Sequence, residues 1–155
     1  MKIEGSYAIN APADKVWALL LDPKAIAKCI PGCQGLEPAG PGRYQATIRI
    51  GVATIQGTYR ATIQVVDPRP ANEYRLRFEG QGGSSFVKGE AHVTLAPGGN
   101  GTRVAVVGQA QLGGGLAAVG QRLAGGAAQL LMGQFFKRMK RLAEGKDGRP
   151  AGRGD

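Results

Sequence analysis

Cys29 and Cys33 stand four apart around Ile30-Pro31-Gly32, and His92 is the only histidine in the 155-residue sequence. A zinc centre built on the two thiolates needs two further ligands, and a single imidazole does not supply them. Proline and glycine between the cysteines make the segment a turn, so the pair reads as two reduced, partly buried thiols. His92 falls on the polar phase of its strand with Lys88, Glu90 and Thr94, the place of a solvated histidine. Ser84 and Ser85 lie in a loop with no histidine to activate them. Asp67, Glu73 and Glu79 occupy turn or outward positions and form no acid–base pair. Gly80-Gln-Gly-Gly and Gly113 to Gly120 are glycine-rich, yet neither has the strand–GxGxxG–helix context or a P-loop lysine. These residues form no visible catalytic constellation and no metal-ligand set, so a protein without catalytic activity or a metal is expected.

Composition points to one soluble domain, with 43% apolar and 20% charged residues. The net charge of +9, from 20 Lys and Arg against 11 Asp and Glu, directs attention to acidic partners. Nucleic acid is the obvious one, and the placement of charge argues against it. Arg43, Arg49, Arg60, Arg75, Arg77 and Arg103 are spread over strands and interleaved with Glu73, Glu79 and Glu90, without an aromatic–basic recognition pattern. Met1 to Gly5 is polar and shows no signal pattern, so a cytoplasmic location is expected. The nearest approach to a membrane span is Leu112 to Phe136, interrupted by Gln121, Arg122, Gln129 and Gln134. A central arginine alone costs about 2.5–3.5 kcal/mol on insertion scales, which rules this stretch out as a span.

The elements that would position any site follow from periodicity. Lys2 to Asn10 alternates, with Ile3, Gly5, Tyr7 and Ile9 on one side, and predicts a first strand. Pro12 opens a helix carrying Val16, Trp17, Leu19 and Leu20. A second short helix is expected over Pro23 to Cys29. Alternating runs then recur at Arg43 to Ile50, Thr54 to Val66, Glu73 to Gly80, Phe86 to Leu95 and Thr102 to Gln111. Gly51 is expected to break the first of these, and Asp67-Pro-Arg-Pro to turn the chain after the second. One polar and one apolar face per strand is the mark of an antiparallel sheet wet on one side.

The last element is one long helix over Leu112 to Ala143, with Leu116, Val119, Leu123, Leu130, Leu131, Phe135, Met139 and Leu142 at helical spacing. Gly113, Gly114, Gly115, Gly120, Gly125, Gly126 and Gly133 are threaded through it. Each interior glycine costs about 1 kcal/mol relative to alanine, so the missing side chains must bring a gain. The gain is either close approach of another backbone or empty volume beside the helix. Gly145 to Asp155 has no periodicity and reads as a disordered basic tail, leaving one domain over 1–144.

At motif level, Ala11-Pro-Ala-Asp-Lys-Val-Trp17, Leu21-Asp-Pro, Cys29-Ile-Pro-Gly32, Lys88-Gly-Glu-Ala91 and Gly114-Gly-Leu-Ala-Ala-Val-Gly120 with Gln134-Phe-Phe136 resemble the CoxG family of carbon monoxide dehydrogenase subunits. That family lies within the START-like (Bet v 1-like, SRPBCC) superfamily, and the resemblance covers about Met1 to Leu142. It implies an α+β helix-grip fold: a curved antiparallel sheet of about seven strands gripping a long C-terminal helix, with two short helices after strand 1. It also implies an apolar cavity between sheet and helix, a quinone or lipid-like cargo with no covalent cofactor, and a molybdenum-containing hydroxylase of the carbon monoxide dehydrogenase type as partner. Members are proposed to help such enzymes meet the membrane or its quinone pool, and for this chain the resemblance implies at most peripheral contact at the inner face of the cell membrane. Some members carry a hydrophobic C-terminal anchor, and this chain departs from them with a short basic end.

Patterning alone nominates the cavity wall. Inward strand positions are Tyr44, Ile48, Tyr59, Ile63, Leu76, Phe78, Val93 and Val106, joined by Trp17 from the first helix. Leu116, Val119, Leu123, Ala127 and Leu130 are expected to face them from the last helix. The alternative is that all of these fill a dry core. Inward Gly57, Gly89 and Gly108 weigh toward volume, and tyrosine hydroxyls would be the few polar contacts. Lys137, Arg138, Lys140 and Arg141 form a basic cluster suited either to the helix dipole or to an anionic membrane or acidic partner. Phe135 and Phe136 are expected to cap the core. An adaptor without a ligand, and an enzyme of the cyclase or hydratase type, are the two alternatives to a carrier.

Overall fold

The computed structural model describes residues 1–52 and 55–145. Most of the expected tail therefore lies outside the described residues. Strand β1 (Lys2–Ile9) leads into α1 (Ala13–Leu20) and α2 (Pro23–Cys29). Six further strands follow: β2 (Cys33–Gly40), β3 (Arg43–Val52), β4 (Ile55–Arg69), β5 (Glu73–Gly82), β6 (Ser85–Gly98) and β7 (Gly101–Gly113). The chain closes with α3 (Gly115–Val119) and α4 (Gln121–Ala143). All seven strands form one antiparallel sheet in the order β1-β7-β6-β5-β4-β3-β2, so each sequence neighbour from β2 to β7 pairs directly. Strand β1 returns to the far edge against β7.

Local chemistry fixes the element ends. The Asp22 carboxylate accepts from the Lys24 N–H at 3.0 Å and caps α2, while Pro23 fills a first-turn position that needs no donor. Gly32 then turns the chain at φ +77°, and a Cβ there would stand 2.0 Å from the Arg49 carbonyl oxygen. Only glycine fits this point, where the Arg49 N–H donates to the Gly32 carbonyl at 2.9 Å.

Four expectations change. The edge strand β2 has too little apolar alternation to be read from sequence. Gly51 does not break β3, which pairs through it opposite Gln56. Asp67, at φ +50°, forms a bulge inside β4 rather than a turn after it, and pairing resumes at Arg69 opposite Glu73. The single long helix is two: Leu112 and Gly113 end β7, and Gly120 at φ +98° and ψ 153° separates α3 from α4. That backbone conformation is open essentially to glycine alone, so the helix must break there.

Two hydrophobic clusters that share no residue hold the layers together. The larger joins Ile9, Val16, Leu20 and Cys29 to Tyr74, Val93, Val104 and Val106 of the sheet and to Phe136, Met139 and Ala143 of α4. The smaller joins Ile55 and Tyr59 of β4 to Leu116, Ala124 and Ala127. Glu144 ties the end of α4 down, accepting from the Asn10 N–H at 2.9 Å and from Lys140 Nζ at 2.5 Å.

Candidate functional site

Helix α4 is packed at each end by a different cluster. At its C-terminal end Phe136 stacks on Tyr7, with centroids 4.3 Å apart and planes 12° apart, and Phe135 meets Phe136 edge-on at 5.0 Å. Both rings serve the core, as expected. At its N-terminal end Ala124 and Ala127 lie against Tyr59 and Ile55. Its close backbone neighbours are β1, α1, α2 and α3, whereas β3, β4 and β5 stand further away. Gln129 Nε2 fastens it to β1 by donating to the Glu4 carbonyl at 2.8 Å.

Between the clusters, the register aligns Tyr44, Ile63 and Phe78 across β3, β4 and β5, and places Ile48 opposite Tyr59. These side chains share the inward face with Ala46 and Tyr59, which are buried. Tyr44, Ile48 and Ile63 are nevertheless only half-buried and belong to neither cluster. Large apolar side chains on an inward face and outside the packed core leave apolar surface there only partly covered. A second aligned row, Ala46, Ala61 and Gly80, adds almost no side-chain volume.

The remaining nominated residues divide. Leu76 and Phe78 are half-buried against the larger cluster, as is Trp17, whereas Val93 and Val106 are buried inside it and act as core. Leu116 and Ala127 are buried in the smaller cluster with Val119 packed on it. Leu123 and Leu130 are corrected. They are 54% and 49% exposed, and the inward side of α4 at this end is formed by Ala124 and Ala127 instead. The helix phase is set by Phe136, Met139 and Ala143, and that phase carries the two leucines to the flank.

The glycines divide as well. A Cβ on Gly125, Gly126, Gly133 or Gly57 would meet nothing within 4 Å, so these positions border open space. Gly89 does not: the end of the Phe78 ring would lie 2.6 Å from its Cβ and fills that volume. Gly108 is closed by Ala91 and the Glu90 carbonyl. Gly113 and Gly114 admit the Phe86 ring and the Ser84 carbonyl oxygen, so close approach accounts for these two.

Outside the grip, two surface depressions are lined mainly by polar side chains. One of about 770 Å³ lies on the outward face among Gln45, Thr47, Arg60, Thr62, Glu79 and Lys88, and another of about 350 Å³ lies by Asp67, Arg69 and His92. Neither is bounded by Tyr44, Ile48 or Ile63. His92 is not simply solvated, because its Nε2 sits 2.5 Å from Glu73 Oε1, and Arg69 lies 3.5 Å from the other carboxylate oxygen. Of the basic cluster, Lys137, Arg138 and Arg141 are exposed, while Lys140 is half-buried and paired with Glu144. Among the described residues no three His, Cys, Asp or Glu side chains converge as metal ligands. No helix among them is long and apolar enough to cross a membrane.

Tyr7 and the Ala46–Ala61–Gly80 row were not among the nominated residues. Tyr7 was visible in the alternation of Ile3, Gly5, Tyr7 and Ile9. The small-residue row was not, because alanine and glycine leave no hydrophobic signal and align only through strand register.

Comparison with known proteins adds a family and a fold. The family model described as CoxG, a carbon monoxide dehydrogenase subunit, matches residues 5–143. A conserved protein from Geobacillus kaustophilus of known crystal structure is 38% identical, with a TM-score of 0.88 over 92% of this chain and 95% of that one. A START superfamily protein from Mycobacterium smegmatis shares the fold at 16% identity and a TM-score of 0.71, covering 93% of this chain and 97% of its own. A Chromobacterium violaceum protein does so at 19% identity and 0.71, covering 92% and 97%. No curated protein matches the chain.

Proposed function

The chain belongs to the CoxG family of carbon monoxide dehydrogenase subunits, and from that membership we propose that it carries an apolar small molecule, quinone or lipid-like, between sheet and α4. In this reading it serves a molybdenum-containing hydroxylase of the carbon monoxide dehydrogenase type as an accessory protein in the cytoplasm, without catalysing a reaction. The observation that carries the reading is the inward trio Tyr44, Ile48 and Ile63, half-buried yet outside both packed clusters. Inward apolar surface left unpacked is costly unless something covers it, at about 24 cal/mol per Å³ of residual void. An apolar ligand of matching size removes that cost and gains the burial of its own surface.

Native mass spectrometry of the protein purified from its own cells, before and after organic extraction, tests the reading. The expected result is an extractable isoprenoid or lipid mass that reloads on incubation with a quinone. A protein that neither retains nor takes up such a molecule has no carrier function.

A second reading is recruitment through surface contacts alone. Lys137, Arg138 and Arg141 are exposed beside the half-exposed Leu130 on the same helix, which favours peripheral contact with an anionic membrane or an acidic partner. Each basic residue near such a membrane contributes about 1 kcal/mol. Cosedimentation with phosphatidylserine vesicles, compared with neutral vesicles, separates the two. Charge-dependent binding by a protein that holds no ligand favours the adaptor.

A further inference from the structure

Tyr74 is 4% exposed and sits at the end of the inward row of β5, two and four residues from Leu76 and Phe78 on the same face. Its ring meets Trp17, the single tryptophan of the chain, edge-to-face with centroids 5.5 Å apart and planes at 81°. Trp17, Leu76 and Phe78 are half-buried and packed against the cluster that holds Tyr74. Among the described residues the Tyr74 hydroxyl has no hydrogen-bond partner. Thr102, 1% exposed, behaves differently: its Oγ1 donates to the Ala11 carbonyl at 2.8 Å. Burial alone pushes the Tyr74 phenol far above its ordinary range, with no hydrogen bond opposing or assisting the shift.

A buried polar group without a partner is rare in folded proteins, because it loses its water and receives nothing in exchange. Phenylalanine would fill the same volume and keep the contact with Trp17 without that loss. The hydroxyl is therefore retained for something that reaches it. We infer that the Tyr74 hydroxyl is the donor that anchors the bound molecule, which must present an accepting oxygen, carbonyl or ether, at the Trp17 end of an otherwise apolar body. This rests on the carrier reading and narrows it: a purely hydrocarbon cargo would leave the phenol unpaired. Trp17 supplies a flat apolar wall beside the donor, which suits an oxygen borne on a ring.

Equilibrium dialysis of tetramethylbenzoquinone and of tetramethylbenzene, its counterpart without the oxygens, against the wild type and Tyr74→Phe tests the inference. The methyl groups block thiol addition to the quinone ring. The expected result is that Tyr74→Phe weakens quinone binding about 2- to 12-fold, the range of one net hydrogen bond. Tetramethylbenzene should bind both proteins equally, and the Tm of the variant should equal or exceed that of the wild type. Unchanged quinone binding in Tyr74→Phe would overturn the anchor while leaving carriage intact. Equal weakening of both probes would assign the residue to packing and overturn it too. A Tm lowered by about 3 °C or more would reveal an internal partner for the hydroxyl and would likewise overturn the anchor. If the wild type binds neither probe, the carrier reading fails, and the anchor with it.

Discussion

Replacing Ala61 with leucine asks whether the space under α4 is real, because a filled and an unfilled interior answer with opposite signs. Ala61 faces inward opposite Ala46 on β3 and Gly80 on β5, between the positions of Tyr59 and Ile63 on its own strand. Leucine adds three carbons. At about 0.8 kcal/mol per buried CH₂ the ceiling on stabilisation is about 2.4 kcal/mol. Lost rotamer freedom removes about 0.5–1 kcal/mol, and incomplete coverage removes part of the remainder. The expected net gain is about 0.5–1.5 kcal/mol. In an interlocked interior the same carbons would force side chains off their rotamers at a cost of about 1–3 kcal/mol. For a chain of this size 1 kcal/mol moves Tm by about 2–4 °C, so calorimetry should record a rise of about 1–6 °C. Quinone binding should move the other way and weaken at least about tenfold as the volume disappears. A fall in Tm beyond about 2 °C, in a variant that keeps its circular dichroism spectrum, would refute the argument from half-buried side chains.

Three further outcomes follow from particular residues. Gly120→Ala, at a backbone conformation closed to side chains, should destabilise by roughly 1–3 kcal/mol in urea unfolding, whereas Gly126→Ala, in α4 with nothing within 4 Å of its Cβ, should stabilise by about 0.5–1 kcal/mol. The same sign for both would remove the distinction drawn between them. Thr102→Val should cost about 1–3 kcal/mol by leaving the Ala11 carbonyl unpaired in a buried site, and an unchanged urea midpoint would show that water replaces the hydroxyl. Burial holds the Tyr7 and Tyr74 phenols above their ordinary 10.0, so the unfolded chain ionises first. The stability carried by the neutral phenols is complete below about pH 10 and declines as pH rises past it, for Tyr74 by up to about 1.4 kcal/mol per pH unit. The urea midpoint should therefore drop between about pH 9 and about pH 11, and drop less in Tyr74→Phe; equal drops would detach Tyr74 from the alkaline loss.

The sheet was legible because its two faces differ in chemistry: Tyr74, Leu76 and Phe78 against Arg75, Arg77 and Glu79 leave one orientation open to β5. Strand β2 was not, since Leu36 is its one large apolar side chain inside the run, and Gly35, Pro38 and Gly40 carry turn signals. It exists because β3 offers an edge, with Leu36 set opposite Ala46. The wall on α4 was misread for a reason of scale. Hydrophobicity ranks leucine above alanine, so apolar periodicity selected Leu123 and Leu130, whereas Ala124 and Ala127 are the residues that pack with Tyr59 and Ile55. The glycines carried two messages that sequence cannot separate. Gly113 and Gly114 make room for the β5–β6 turn, and Gly120 ends a helix that periodicity alone would continue.

The two clusters hold α4 against the sheet in different ways. At the C-terminal end of α4, Met139 is fully buried and Phe136 is clamped on Tyr7, so the helix can neither roll nor sink toward the sheet without losing contacts among large side chains. At the other end the contacts are Ala124, Ala127 and Leu116, and the chain reaches them through a glycine hinge. The seven-stranded ladder fixes the opposite wall, since drawing β4 toward α4 would break its pairing with both β3 and β5. The weaker clamp therefore lies at Leu116, Tyr59 and Ile55, where fewer and smaller side chains oppose opening. In the proposed carrier, a molecule is expected to enter there, with the stiffest wall at the Trp17 end. Entry at the alanine end and anchoring at the aromatic end, as proposed, both rest on one asymmetry in side-chain size along α4.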